Sequence, residues 1–163
     1  MTAARLPPVA TMLLLSASGM AVGLAIDCGT TPPALIAALC ATEPGSLAAA
    51  LRFHLAVMPA SYAMTAVAGL LALGLTAGGG HPGAGLAAGL ACLVLMMAGM
   101  VVGGWLAPEI AALLGAEPGF ALLVAGMATG MALATVAGAA VARLAGRRDR
   151  VRRAGTAQYI MYQ

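Results

Sequence analysis

The chain has 163 residues, of which 62% are hydrophobic and 22 more are glycine, while charged residues make up 8% and aromatic residues 4%. Soluble domains are about 45–50% apolar, so this composition excludes a soluble globular protein; with no polar or aromatic-rich segment, it also excludes a nucleic-acid reader, a P-loop enzyme and a secreted disulfide scaffold. The formal charge is +3, every cation being arginine, and apolar stretches run for about 20 residues, the length that crosses a bilayer.

Taken in chain order, the first span covers residues 9–26. Arg5 precedes it, so a cleaved signal peptide is the alternative reading. Against that, the run lacks a small-x-small ending, and Asp27 stands before Cys28 where a lipoprotein site needs a small residue. A loop rich in Thr, Pro and Cys follows, holding Cys28 and Cys40. A disulfide between these two would close a loop of about a dozen residues and add ~2–3 kcal/mol; free thiols or a metal site are the alternatives.

The second span, residues 47–75, contains Arg52, His54 and Pro59. The proline ring releases the carbonyl near Leu55 and bends the helix. Arg52 can snorkel outward or pair with Glu43 or Glu117. The turn at residues 76–84 reads TAGGGHPGA, and its His81 is expected to be solvated. The third span, residues 85–106, carries Cys92 and ends beside Trp105, an interface anchor. Residues 107–119 hold two prolines and two glutamates before the fourth span, residues 120–144.

Six arginines, Arg143, Arg147, Arg148, Arg150, Arg152 and Arg153, follow or end that span, and Arg5 precedes the first. The positive-inside bias therefore places both termini in the cytoplasm of a cell (inner) membrane. The two external loops then hold Asp27, Glu43, Glu109 and Glu117. Residues 146–163 form a basic cytoplasmic tail with affinity for anionic lipid, and Tyr159 and Tyr162 lie in it.

An internal repeat organises the chain. Residues 19–23 read GMAVG and 99–103 read GMVVG; residues 36–45 read IAALCATEPG and 110–119 read IAALLGAEPG. The expected architecture is all-α, a polytopic four-helix bundle forming one transmembrane domain from two tandem, parallel helical hairpins, residues 9–75 and 85–145. Glycines spaced by four at Gly19/Gly23, Gly85/Gly89, Gly99/Gly103 and Gly126/Gly130 permit close helix approach, and Ala56/Ala60 takes that role in the second span.

One donor residue per span, namely Met20, His54, Met100 and Met127, lies at a similar depth from the external side. The three methionines each follow the first glycine of a GMxxG. Met58, Met96 or Met97, and Met131 lie one turn deeper. Thioethers with an imidazole select Cu(I) over harder ions, and an acidic outer rim concentrates cations. Packing explains the same methionines, since thioethers fill gaps beside close-contact glycines. His54 is costly in a membrane unless partnered; a hydrogen bond to Ser61, Thr129 or a carbonyl, or axial ligation of haem or chlorophyll, are its other readings. Arg52 near the mouth counts against a cation path.

No catalytic triad, intramembrane carboxylate or nucleotide motif is present, so no enzyme is expected. Two functions follow: a non-enzymatic accessory or scaffold subunit meeting other integral membrane proteins, or a second copy of itself, through glycine-lined faces; or a protein that binds or transports a soft metal through its Met/His layer. Membrane lipids are partners in either case.

Overall fold

The computed structural model describes residues 8–41, 46–76, 82–117 and 119–160, and these form six helices. They are α1 (Pro8–Thr30), α2 (Pro33–Ala41), α3 (Leu47–Val57), α4 (Pro59–Thr76), α5 (Pro82–Leu113) and α6 (Phe120–Ile160). Among the described residues there is no strand. Four of the helices begin on proline, whose fixed φ suits the first helical position and whose missing N–H is not needed there.

Three segments are long and apolar enough to cross a membrane: Val9–Thr30, Leu86–Leu113 and Phe120–Val141. The expected second span is not one rod. It divides at Met58 into α3 and α4, bent by 96°. Pro59 cannot donate to the Leu55 carbonyl, so the last bond of this kind in α3 runs from the Met58 N–H to the His54 carbonyl, 2.8 Å. Ser46 caps the start of α3, its hydroxyl accepting from the Ala49 N–H.

Other boundaries also differ from the sequence reading. α1 continues to Thr30, which puts Asp27 inside a helix rather than in a loop. The IAAL segment of the first half is a separate helix, α2, whereas that of the second half is the end of α5, continuous through Pro108. α6 runs for 41 residues, about 60 Å at 1.5 Å per residue, so the backbone of the basic stretch continues the fourth helix. His81 and Glu43 lie outside the described residues.

Two antiparallel pairs form the body. In the first, a Cβ added at Gly19 would strike the Met64 carbonyl and Ala68, and one at Gly23 would strike Ala60 and Ser61. In the second, Gly99 lies on Gly130 and Ala134, and Gly103 lies on Gly126. Without a hydrophobic drive in lipid, this backbone contact carries dispersion attraction that any larger side chain would prevent. α4 and α5 then join the pairs, with Leu73 over Gly89 and Leu93 over Gly69. Outward faces are leucine and valine, such as Leu71, Leu75, Val94 and Leu133, as an acyl-chain solvent requires.

Candidate functional site

The site begins at the elbow. The first N–H groups of a helix have no partner of their own, and α4 starts directly after the Met58 break. Asp27 closes it from the neighbouring helix. Its Oδ1 accepts from the Ala60 N–H at 3.1 Å, and its Oδ2 accepts from the Ser61 N–H at 2.8 Å and the Ser61 hydroxyl at 2.5 Å. Asp27 is 3% exposed. A carboxylate at a helix N-terminus also meets the positive end of the macrodipole, which offsets its burial.

With α4 anchored, α3 swings across the end of the bundle onto α5 and carries His54 inward. The imidazole is fully buried, and its ring lies 6.3 Å from that of Tyr62, nearly parallel at 22°. It rests against Gly104 of α5. The point where a Gly104 Cβ would stand is 3.0 Å from His54 Cε1, 3.0 Å from Met127 Cγ and 3.6 Å from His54 Nε2. Only the absence of a side chain at Gly104 lets the imidazole and the thioether stem share that space. Pro108, one turn on, lacks the N–H that would bond the Gly104 carbonyl, so an acceptor is released at the residue His54 covers.

The methionines named in the Met/His layer are interior, except Met97, which is half-buried. Met58, Met100 and Met127 are fully buried, Met131 is 3% and Met20 6% exposed, and all belong to one continuous core cluster with Met12 and Met96. They do not lie on one level, however. Met100 is four residues from Gly104, so the His54–Met127 level is one turn nearer the Asp27 end than Met100. Met58 is at the elbow, the residue that ends α3, rather than below His54 on a straight helix.

The partners first considered for His54 have other places. The Ser61 hydroxyl belongs to Asp27, and Thr129 is exposed. Arg52 is exposed and its Nε turns back to the Ala48 carbonyl, 3.4 Å away, which takes its charge off the interior path. The pairing that sequence alone missed is Asp27 with the α4 N-terminus. Its signal was present in the sequence, an aspartate beside an apolar span and a proline in the middle of the next one.

Cys28 and Cys40 are not bridged. Cys28 is on α1, and Cys40 is on α2 in a shallow crevice lined by Ala107 and Pro108 of α5 and Leu122 and Leu123 of α6. Gly19, Gly23, Gly99, Gly103, Gly126 and Gly130 all face helices of the same chain, so they do not offer an outward docking groove. Among the described residues no three His, Cys, Asp or Glu side chains gather as a metal site. The donors that do gather are thioethers and one imidazole.

No protein-family model, curated protein or solved structure matches this chain.

Proposed function

We propose that this chain is a small, non-enzymatic integral membrane protein that binds a soft monovalent cation, Cu(I), in its interior and passes it through the bundle. One observation carries the reading: donors chosen by residue chemistry and spacing, on α1, α5 and α6 and at the α3–α4 elbow, are buried, the methionines in a single core cluster and His54 against Met127. Soft thioether and imidazole ligands select Cu(I) among biological metals. Axial ligation of haem or chlorophyll at His54 has less support, because the imidazole lies packed against Gly104 and Met127 rather than facing a macrocycle-sized space.

The architecture proposed with it is a four-helix bundle of two tandem hairpins with both ends in the cytoplasm of a cell membrane. The contact register supports the duplication. Gly19 meets Met64 and Ala68 as Gly99 meets Gly130 and Ala134, and Gly23 meets Ala60 as Gly103 meets Gly126. The partner spacing is the same in both pairs. The accessory-subunit reading drew on glycine faces that here serve internal contacts, and nothing else favours it.

The test is Cu(I) retention by detergent-purified protein under reducing conditions, in competition with a chromophoric Cu(I) chelator. Near-stoichiometric binding is expected, abolished by combining His54→Ala with Met100→Leu while expression is unchanged. Protein that takes up no Cu(I) from excess metal would refute the proposal. Reporter fusions at each end test the topology; an external C-terminus would reverse it.

A further inference from the structure

We infer that α3 is a surface-lying helix of the membrane: Leu47, Leu51 and Leu55 seat among the acyl chains of the leaflet at the C-terminal end of α1, and Arg52 meets a phospholipid phosphate above them.

Depth is the first observation. Asp27 holds the Ala60 and Ser61 N–H groups at the start of α4, and it lies just before Thr30, where the first membrane-crossing segment ends. At 1.5 Å per residue the elbow is therefore roughly 5 Å inside that end. Amphipathic helices lying in the membrane plane bury their apolar face about 5–10 Å into the boundary between headgroups and acyl chains. α4 packs along α1, and α3 leaves it at 96°, so α3 runs along the plane at that depth.

Orientation is the second. His54 of α3 and Tyr62 of α4 lie ring to ring across the inside of the elbow. The His54 face of α3 is thus turned the way α4 runs, into the membrane, and Ala50 and His54 on it are fully buried. Two exposed ridges remain on α3, Leu47–Leu51–Leu55 and Ala48–Arg52–Ala56. At about 100° per residue, the leucines stand a quarter turn from the buried ridge, which points them sideways along the plane, while the arginine ridge stands opposite it and points out of the membrane. On the remaining flank Phe53 packs against the core.

Charge decides the occupant. A leucine row alone fits any apolar surface, a protein's included. Here the neighbouring ridge, on the aqueous side, carries a cation at the level of the lipid phosphates. The Arg52 Nε bond to the Ala48 carbonyl uses one of the guanidinium's five donors and leaves the fork that pairs with phosphate oxygens. The leucines also continue the leucine and valine surface that the long helices turn to the acyl chains. Neither ridge holds a soft-metal donor, so this seat does not depend on Cu(I).

The experiment uses the full chain in vesicles of phosphatidylethanolamine and phosphatidylglycerol, with Cys28→Ala, Cys40→Ala and Cys92→Ala as background and single nitroxide labels at Leu47, Leu51, Leu55, Ala48 and Ala56. By power-saturation EPR the three leucine positions should collide several-fold more with oxygen, which concentrates among acyl chains, than Ala48 and Ala56 do; an aqueous nickel chelate should show the reverse order. If all five positions meet the nickel chelate alike, α3 lies in water. If the leucine positions are shielded from both reagents, a protein surface covers them. Either result overturns the inference. Arg52→Leu should let α3 sink and bring the Ala56 label into the oxygen-rich zone, whereas Arg52→Lys should leave it in place. An Ala56 label unmoved by Arg52→Leu would overturn the phosphate contact.

Discussion

Asp27, near the C-terminal end of α1, is bonded through its carboxylate to the backbone and hydroxyl of Ser61, at the start of α4. The pair spans 34 residues of sequence and fixes where the second apolar segment turns. Everything about the candidate site depends on that turn. A straight helix through residues 47–75 would have put His54 in register with the other spans. The elbow instead lays α3 over the end of the bundle and presses the imidazole onto Gly104.

Replacing Asp27 by Ala removes the cap and leaves buried N–H groups without an acceptor. Loss of a capping side chain costs about 1 kcal/mol, and orphaned buried donors add to that, so the expected destabilisation is about 2 kcal/mol. Denaturant unfolding in micelles should show it. Asp27→Asn, which keeps one acceptor oxygen, is expected to fall between wild type and Asp27→Ala.

Pro59 and Asp27 make the elbow together, and their contributions separate. In Pro59→Ala the backbone N–H at position 59 is restored, yet the Ala60 and Ser61 donors remain engaged by Asp27, so the bend is expected to persist. In the double variant with Asp27→Ala nothing holds the break, and α3 should become collinear with α4. Spin labels at positions 51 and 70, both on exposed leucines, report this directly: the distance should change little in the single variant and lengthen clearly in the double.

Composition and charge were enough to read a helical membrane protein, because long apolar runs admit few structures in lipid. The close-contact glycines were legible for the same reason, since a GxxxG spacing puts both residues on one face. What could not be read was which face met which. Gly99 and Gly130 are partners within one hairpin, and no periodicity distinguishes that from a groove for another protein. Counting inward from Gly45 to His54 assumes a straight helix, whereas the segment bends by 96° after Val57. Pro59 signalled a bend, but its size is set by Asp27, a residue outside that segment. The Cys28–Cys40 bridge assumed one short loop, whereas Cys40 lies on a further helix, α2, of nine residues.

The glycine contacts predict a contrast among leucine substitutions. A side chain at Gly103 would drive into the Gly126 backbone, and one at Gly130 into Gly99, whereas Gly74 and Gly29 have nothing within 4 Å. Gly103→Leu and Gly130→Leu should therefore fail to yield monodisperse protein, since backbone cannot move aside as a flexible side chain can. Gly74→Leu and Gly29→Leu should purify like wild type. Fluorescence-detected size-exclusion profiles make the comparison.

Thiol counting tests the separation of the two cysteines. Protein denatured without reductant should react with maleimide at Cys28, Cys40 and Cys92, giving three adducts by intact mass. A Cys28–Cys40 bridge would leave a single adduct. Under native conditions Cys40, which is 4% exposed, should react more slowly than Cys28.

Gly104 offers the sharpest separation of packing from ligation. The nearest atoms to a Cβ there are the edge of the His54 ring and the Met127 stem, each at 3.0 Å, and both are side chains that can shift. Gly104→Val should therefore leave the Gly99/Gly130 and Gly103/Gly126 contacts intact and cost about 1–3 kcal/mol, the usual cost of overpacking. Its effect on metal should be disproportionate, because the imidazole and the thioether would be pushed from the space they share. Cu(I) affinity is expected to fall at least as far as in His54→Ala, while the thermal midpoint moves only modestly. Should the affinity stay at the wild-type value with His54 displaced, the imidazole would be a packing residue and the ligands would have to be sought among the methionines alone.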